Sequence, residues 1–224
     1  MGSITGRKSI LMTALRVVPA AGLLLFLLIQ FSSELIGIAF YAMGRAQNCS
    51  FEGAMDAVGA FDKQESVAAS MKNLSRLVEK DAHGFELWDT PGGKYWVPAG
   101  GSQVLFDDMA EQERGIYSTR NRGVKRGDVV LDCGANIGQY SRVALAAGAS
   151  KVIAIEPVPS NIEVLRRNLK DEIASGKVVI VEKGVWDKDG SLEMFIEADN
   201  IAAHSFVVDR EKTGKKVQLP LTTM

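Results

Sequence analysis

The chain has 224 residues, with 26 Lys plus Arg against 27 Asp plus Glu and a formal net charge of −1. Hydrophobic residues make up 46% and charged residues 24%, a globular balance that excludes collagen-like, low-complexity and wholly disordered classes. A near-neutral chain lacks the basic excess of a general nucleic-acid binder, and two cysteines with two histidines exclude a disulfide framework and a multi-histidine metal site.

No charge falls between Arg16 and Glu34. That run alone is slightly short of the ~20 residues a spanning helix needs. A helix starting near Pro19, where a missing N–H costs little, would carry Glu34 at the far interface and continue into the apolar stretch from Leu35 to Gly44. The expectation is an uncleaved, single-pass N-terminal transmembrane helix, with residues 17–43 as the membrane contact. A signal peptide is the rival: Arg7, Lys8 and Arg16 form a basic leader, Leu23 to Ile29 an apolar core, and Ala42-Met43-Gly44 a weak cleavage site. The basic leader favours a cytoplasmic N-terminus and an external remainder. The cytosolic cofactor inferred below favours a cytoplasmic domain, so the two arguments conflict. The expected organisation is an anchor over 1–44, a lead-in α/β region over 45–120 and a cofactor-binding domain over 121–224.

In the lead-in region, Val67, Met71, Leu74 and Val78 recur at spacings of three and four, which predicts an amphipathic helix from Ser66 to Lys80. Phe85 to Asp89 and Lys94 to Val97 flank Thr90-Pro-Gly-Gly93 and predict a β-hairpin with a four-residue loop. Trp88 and Trp96 read as core residues. Gln103 to Arg114 predicts a further helix, stopped by Gly115. The basic stretch Arg120 to Arg126 reads as a solvated loop before a strand, or as a steering patch for an anionic substrate.

From Gly127 the pattern becomes regular. Val129 to Asp132 predicts a buried parallel strand, Gln139 to Ala147 a helix ended by Gly148, and Lys151 to Ile155 the next strand. Ser160-Asn-Ile-Glu163 reads as a capping box. Behind it Ile162, Leu165, Leu169 and Ile173 form a buried stripe, and Val178 to Val181 is a third strand. A hairpin from Trp186 to Ile196 turns at Asp187 to Gly190. Alternating strand and helix predicts parallel βαβ units with right-handed crossovers, whose ligands bind at the carboxyl ends of the strands.

The loop from Asp132 to Gly138 lies at such an end. Gly134 permits close approach of backbone to ligand, and Gly138 permits a helix to start tight against the sheet. Glu156 falls 18 residues after Gly138, at the tip of the next strand, where a carboxylate accepts hydrogen bonds from a ribose diol. A dinucleotide loop would read G-x-G-x-x-G. Here Asn136 holds the middle glycine's place, and Asp132 puts negative charge where a pyrophosphate would sit. That charge suits a cofactor bearing an ammonium and a sulfonium, S-adenosyl-L-methionine. Cys133 reads as a small buried residue, and His204 as a surface residue or a general base. No metal is implied.

Gly127 to Gly138, Ala154-Ile-Glu-Pro157, Asn161 to Asn168 and Val181 to Gly190 resemble the FkbM-type methyltransferases, over a span from Glu113 to Met224. The resemblance implies a class I, Rossmann-like α/β sheet and S-adenosyl-L-methionine-dependent methylation, commonly of a sugar or natural-product hydroxyl. It implies that Asp132, Gly134, Ala135, Asn136 and Gly138 line the methionine and ribose side, that Glu156 holds the ribose hydroxyls, and that Pro157 and Val185 border the adenine. The implied partner is a hydroxyl-bearing small molecule or glycan. The family runs on past the Leu219 to Thr223 region, so the expectation is the N-terminal half of such a sheet. Two rival readings are a nicotinamide-dependent oxidoreductase and a non-catalytic, membrane-tethered binding module.

Overall fold

The computed structural model describes residues 33–45, 50–118, 122–196, 201, 204, 206 and 215–223. The chain divides into two compact units, Met1–Lys63 and Gln64–Met224. In the first, helix α1 (Ser33–Ala42) meets the early part of helix α2 (Phe51–Asn73). A Cβ on Gly37 would fall 2.6 Å from Val58 Cγ2, so the bare backbone lets the two helices approach closely. Tyr41 meets Phe51 edge-on, with ring centroids 5.3 Å apart.

The expected membrane anchor is corrected here. Among the described residues no helix is long and apolar enough to cross a membrane. Helix α1 has 10 residues. At 1.5 Å per residue it spans about half of the ~30 Å hydrocarbon layer. The earlier part of the expected anchor, residues 17–32, lies outside the described residues. The single-pass anchor, the membrane as partner and the membrane localisation are therefore not carried further.

In the second unit, Val67, Ala68 and Met71 of α2 pack on a core that includes Val97, Leu105, Phe106 and Ile137. The helix predicted to run to Lys80 stops at Asn73 instead, and Arg76–Lys80 is strand β1. The Ser75 hydroxyl donates to Met71 O at 2.6 Å and closes the last helical turn. Pairing of β1 with β2 (Glu86–Thr90) then overrides the helical spacing of Leu74 and Val78. Strand β3 (Gly93–Val97) completes an antiparallel sheet in the order β1-β2-β3. The β2–β3 turn is tighter than predicted. Thr90 pairs with Gly93, so only Pro91 and Gly92 form the loop. The Thr90 hydroxyl donates to Gly93 O at 2.6 Å and accepts Gly92 N–H at 3.2 Å.

Helix α3 (Ser102–Glu113) buries Leu105, Phe106, Met109 and Ala110 against this sheet. It ends, as its glycine implies, at Gly115 in the left-handed region with φ 66°. Trp88 meets Phe106 edge-on at 5.4 Å.

The βαβαβ unit follows. Strands β4 (Val129–Cys133), β5 (Lys151–Ile155) and β6 (Val178–Val181) are parallel, in the order β4-β5-β6. Helix α4 (Gln139–Ala146) connects β4 to β5, and α5 (Pro159–Asn168) with α6 (Lys170–Ala174) connects β5 to β6. Ala144, Val152, Ala154, Leu165 and Leu169 form the core between helices and sheet. Of these three strands, among the described residues, β5 alone has strand neighbours on both sides. Strand β4 is an edge, with Val129 61% and Leu131 50% exposed, so its predicted full burial is corrected.

The capping box at Ser160 does not form. Val158 is the N-cap and Pro159 opens the helix, which places Ser160 inside the first turn. The predicted hairpin over Trp186 to Ile196 is also replaced. Strands β7 (Gly184–Val185) and β8 (Gly190–Phe195) both pair with β9 (Lys216–Thr222), in the order β7-β9-β8.

Two side chains of α5 tie the N-terminal sheet to the βαβαβ unit. Buried Asn168 accepts Trp96 N–H at 2.7 Å and donates to Trp96 O at 2.9 Å and Ile137 O at 2.8 Å. Arg167 pairs with Asp81 at 2.7 Å and lies over the Phe85 and Trp96 rings. Replacing Asn168 by Ala orphans buried backbone groups on both partners, at a cost of about 1–3 kcal/mol for each group left unpaired. The expected result is a variant about 3 kcal/mol less stable in urea unfolding, with β3 losing amide-exchange protection first.

Candidate functional site

The site forms around the turn between β4 and α4. Three consecutive N–H groups of this turn are tied to the end of β5. Gly134 and Ala135 donate to Ile155 O at 2.9 and 3.0 Å, and Asn136 donates to Glu156 Oε2 at 2.9 Å. Gly134 (φ 84°) and Asn136 (φ 48°) both adopt left-handed conformations, which Gly and Asn tolerate best. Glu156 Oε1 accepts Val158 N–H at 2.9 Å and Asn161 Nδ2 at 3.4 Å. Glu156 is 4% exposed and thereby braces the turn before α4 and the turn before α5 together. Burial pushes its pKa up, while the Val158 and Asn136 N–H groups oppose that rise.

Asp132 closes β4 from the other side. Its Oδ2 accepts the Ser141 hydroxyl at 2.6 Å. Burial raises its pKa, and hydrogen bonds from the Ser141 hydroxyl and N–H counter the rise. Asp132 is thus held by α4 while its residue also borders a cavity.

Two cavities flank the turn. The first, about 310 Å³, is lined by Gly134, Asn136, Glu156, Pro157, Asn161 and Val185, with His204 also on its wall. The second, about 580 Å³, is lined by Asp108, Glu111, Asp132, Gly134, Asn136 and Gln139, with Ala135 also on its wall. Seven of the eight sequence-derived site residues therefore border one or both. Gly138 borders neither. A Cβ there would fall 2.6 Å from Leu165 Cδ1 and 2.9 Å from Leu169 Cδ1, so this glycine serves helix packing. A Cβ on Gly134 would meet nothing within 4 Å. Cys133, expected to be buried, is exposed at the end of the edge strand and lines both cavities.

The sequence reading missed Asp108, Glu111 and Gln139. Asp108 carried a signal: it is an acid set among the core residues Leu105, Phe106, Met109 and Ala110. Burial and the nearby Glu111, Asp107 and Asp132 carboxylates push its pKa up to about 7. Gln139 is 6% exposed, and its Oε1 has no hydrogen-bond partner among the described residues. The second cavity thus presents three carboxyl groups and an unpaired carbonyl oxygen, a surface suited to a cation or a hydrogen-bond donor.

Asp108 titrates above its ordinary range in the folded chain, so its ionisation opposes folding. Its contribution is most favourable below pH 4 and is lost as pH rises through about 7. Replacing Asp108 by Asn removes that dependence. The variant is expected to be more stable than wild type by about 1–2 kcal/mol at pH 8, with the difference vanishing near pH 4. Urea midpoints at the two pH values check this.

With this geometry in view, comparison with known proteins shows what the chain is similar to. The methyltransferase FkbM domain model matches residues 132–224. Over that segment, which begins at Asp132 near the end of β4, the chain is similar to FkbM-type methyltransferases. The FkbM methyltransferase from Methylobacillus flagellatus is similar at 15% identity, over 75% of this chain and 38% of that protein, with a TM-score of 0.30. The C-terminal domain of precorrin-6Y C5,15-methyltransferase from Rhodobacter capsulatus is 27% identical over 28% of this chain and 33% of that one, with a TM-score of 0.26. The M. jannaschii tRNA m1G37 methyltransferase is 19% identical over 58% of this chain and 45% of that one, with a TM-score of 0.32. The chain spans no more than 45% of the length of any of these solved proteins. No curated protein matches it.

Proposed function

We propose that the second unit binds S-adenosyl-L-methionine and promotes methylation of a hydroxyl on a sugar or natural product. The observation that carries this reading is the acid-lined cavity beside the Gly134 turn. Asp108, Glu111 and Asp132 together with the unpaired Gln139 Oε1 favour a ligand bearing positive charge. The chemistry supplied by S-adenosyl-L-methionine, when bound, is an electrophilic methyl group on a cationic sulfur. Asp132, Gly134, Ala135 and Asn136 would hold its amino-acid side, Glu156 its ribose, and Pro157 and Val185 its base. Gly134 fits this role because its Cβ-free face opens on empty space. Glu156 fits because its Oε2 accepts one hydrogen bond among the described residues, from Asn136 N–H, and keeps a second lone pair for a ribose hydroxyl. The chain's contribution to rate would be positioning of donor and acceptor.

The nicotinamide reading is disfavoured on physical grounds. A pyrophosphate needs free N–H groups at the turn. Here the N–H groups of Gly134, Ala135 and Asn136 are all engaged by Ile155 O and Glu156. The carboxyl-lined cavity beside the turn also offers a pyrophosphate no cation among the described residues.

Calorimetric titration of the full chain with S-adenosylhomocysteine, and separately with NADH, tests the reading. Saturable binding of S-adenosylhomocysteine without NADH binding is expected. NADH binding alone would overturn it, and a folded chain that binds neither would favour a non-catalytic module.

A further inference from the structure

A third cavity, about 720 Å³, lies between the end of α3, the segment 122–125 and α4. It shares Gln112, Tyr117 and Tyr140 with the acid-lined cavity, so the two adjoin. Its character is opposite. Arg122 and Lys125 line it, and no carboxylate does among the described residues. Neither side chain forms an ion pair among the described residues: the Asp128 carboxylate accepts Lys125 N–H at 2.8 Å rather than its ammonium. Tyr117 and Tyr140 form the shared wall, with ring centroids 4.9 Å apart. Aromatic rings with a polar tip suit the apolar face and hydroxyl edge of a sugar ring.

Charge is therefore sorted along one continuous surface. Carboxyl groups stand beside the turn, two tyrosines follow, and two cations with no ion pair among the described residues lie beyond. A neutral acceptor would leave both cations without a partner. From this order we propose that the third cavity is an acceptor subsite for the anionic end of a phosphorylated or carboxylated sugar. Arg122 and Lys125 take the anion, Tyr117 and Tyr140 take the ring, and a hydroxyl at the far end faces the acid-lined cavity. This rests on the methyltransferase reading, because it assigns a substrate class to that activity. Arg122 and Lys125 of the basic stretch thereby acquire a role beyond solvation.

The test uses the full chain and saturation-transfer NMR, which detects weak binding. The probes are glucose 6-phosphate, glucuronate, glucose and inorganic phosphate. Glucose 6-phosphate, glucuronate or both are expected to bind at least tenfold more tightly than glucose and than inorganic phosphate. Preference between the two sugars tells phosphate from carboxylate. Combining Arg122→Gln with Lys125→Gln is expected to weaken that binding at least tenfold while leaving the melting temperature and S-adenosylhomocysteine affinity unchanged. Raising salt should weaken wild-type binding in the same direction, since exposed cations are screened. Absence of anionic-sugar binding, binding of glucose or phosphate alone at equal strength, or undiminished binding in the double variant would each overturn the proposal. Wild-type protein that binds anionic sugar but not S-adenosylhomocysteine would sink the methyltransferase reading and leave the sugar subsite standing.

Discussion

Glu156→Gln is expected to lower affinity for S-adenosylhomocysteine by about 100-fold, or roughly 2.7 kcal/mol. The effect has two sources. The carboxylate accepts Asn136 N–H through Oε2 and Val158 N–H through Oε1, both at 2.9 Å. An amide has one acceptor oxygen, so one of these buried N–H groups would face a donor. Leaving a buried group unsatisfied costs about 1–3 kcal/mol. The turn that forms the ligand surface is then no longer tied to α5. The second source is the loss of the acceptor proposed to meet a ribose. Urea unfolding separates them: loss of stability alone, with affinity retained, would make Glu156 a structural brace only. Glu156→Ala removes all three hydrogen bonds at once and is expected to be the more damaging change.

The second large effect concerns two glycines of one turn, which are expected to behave oppositely. Gly138→Ala places a Cβ against Leu165 and Leu169 at 2.6 and 2.9 Å, in a left-handed conformation with φ 85°. Overpacking of a core costs about 1–3 kcal/mol, and the strained backbone adds about 1 kcal/mol. The expected variant is about 3 kcal/mol less stable, with near-normal affinity in the fraction that folds. Gly134→Ala has the backbone strain but no clash, since no atom lies within 4 Å of the added Cβ. A loss of about 1 kcal/mol of stability is expected, together with at least tenfold weaker S-adenosylhomocysteine binding, because the methyl occupies ligand space. Thermal melts paired with titrations check both. Normal binding by Gly134→Ala would remove this turn from the ligand surface.

The loop pattern already reads Gly134 as a close approach to ligand and Gly138 as a tight helix start. Packing adds the distances: Leu165 and Leu169 crowd Gly138, whereas Gly134 faces open space. Similar logic applies to Asp132 and Asp108. The first stands at a strand end ahead of a glycine turn and is legible as a site acid. The second is an acid set among the core residues of a helix, a signal that marks it as unusual without saying what it faces. It becomes a site residue only when α3 is laid beside the end of β4.

Although the single helix read from Ser160 through Ile173 is broken at Leu169 into α5 and α6, the sequence by itself determined the parallel βαβαβ unit, its strand bounds to within a residue, the turn at Asp132 to Gly138 and the acid Glu156 at the next strand's tip. These are legible because hydrophobic periodicity, glycine stops and the spacing of one acid from one loop are local properties of the chain. Tertiary structure decided the rest. It ended α2 at Asn73 and made Arg76–Lys80 a strand through pairing with β2. It replaced the Trp186 to Ile196 hairpin with pairing to β9, and it replaced a Ser160 cap with a helix opened by Pro159. It also set two cavities of opposite charge side by side from residues far apart in sequence. Long-range pairing and packing carry no period along the chain, and so they emerge only when the elements meet.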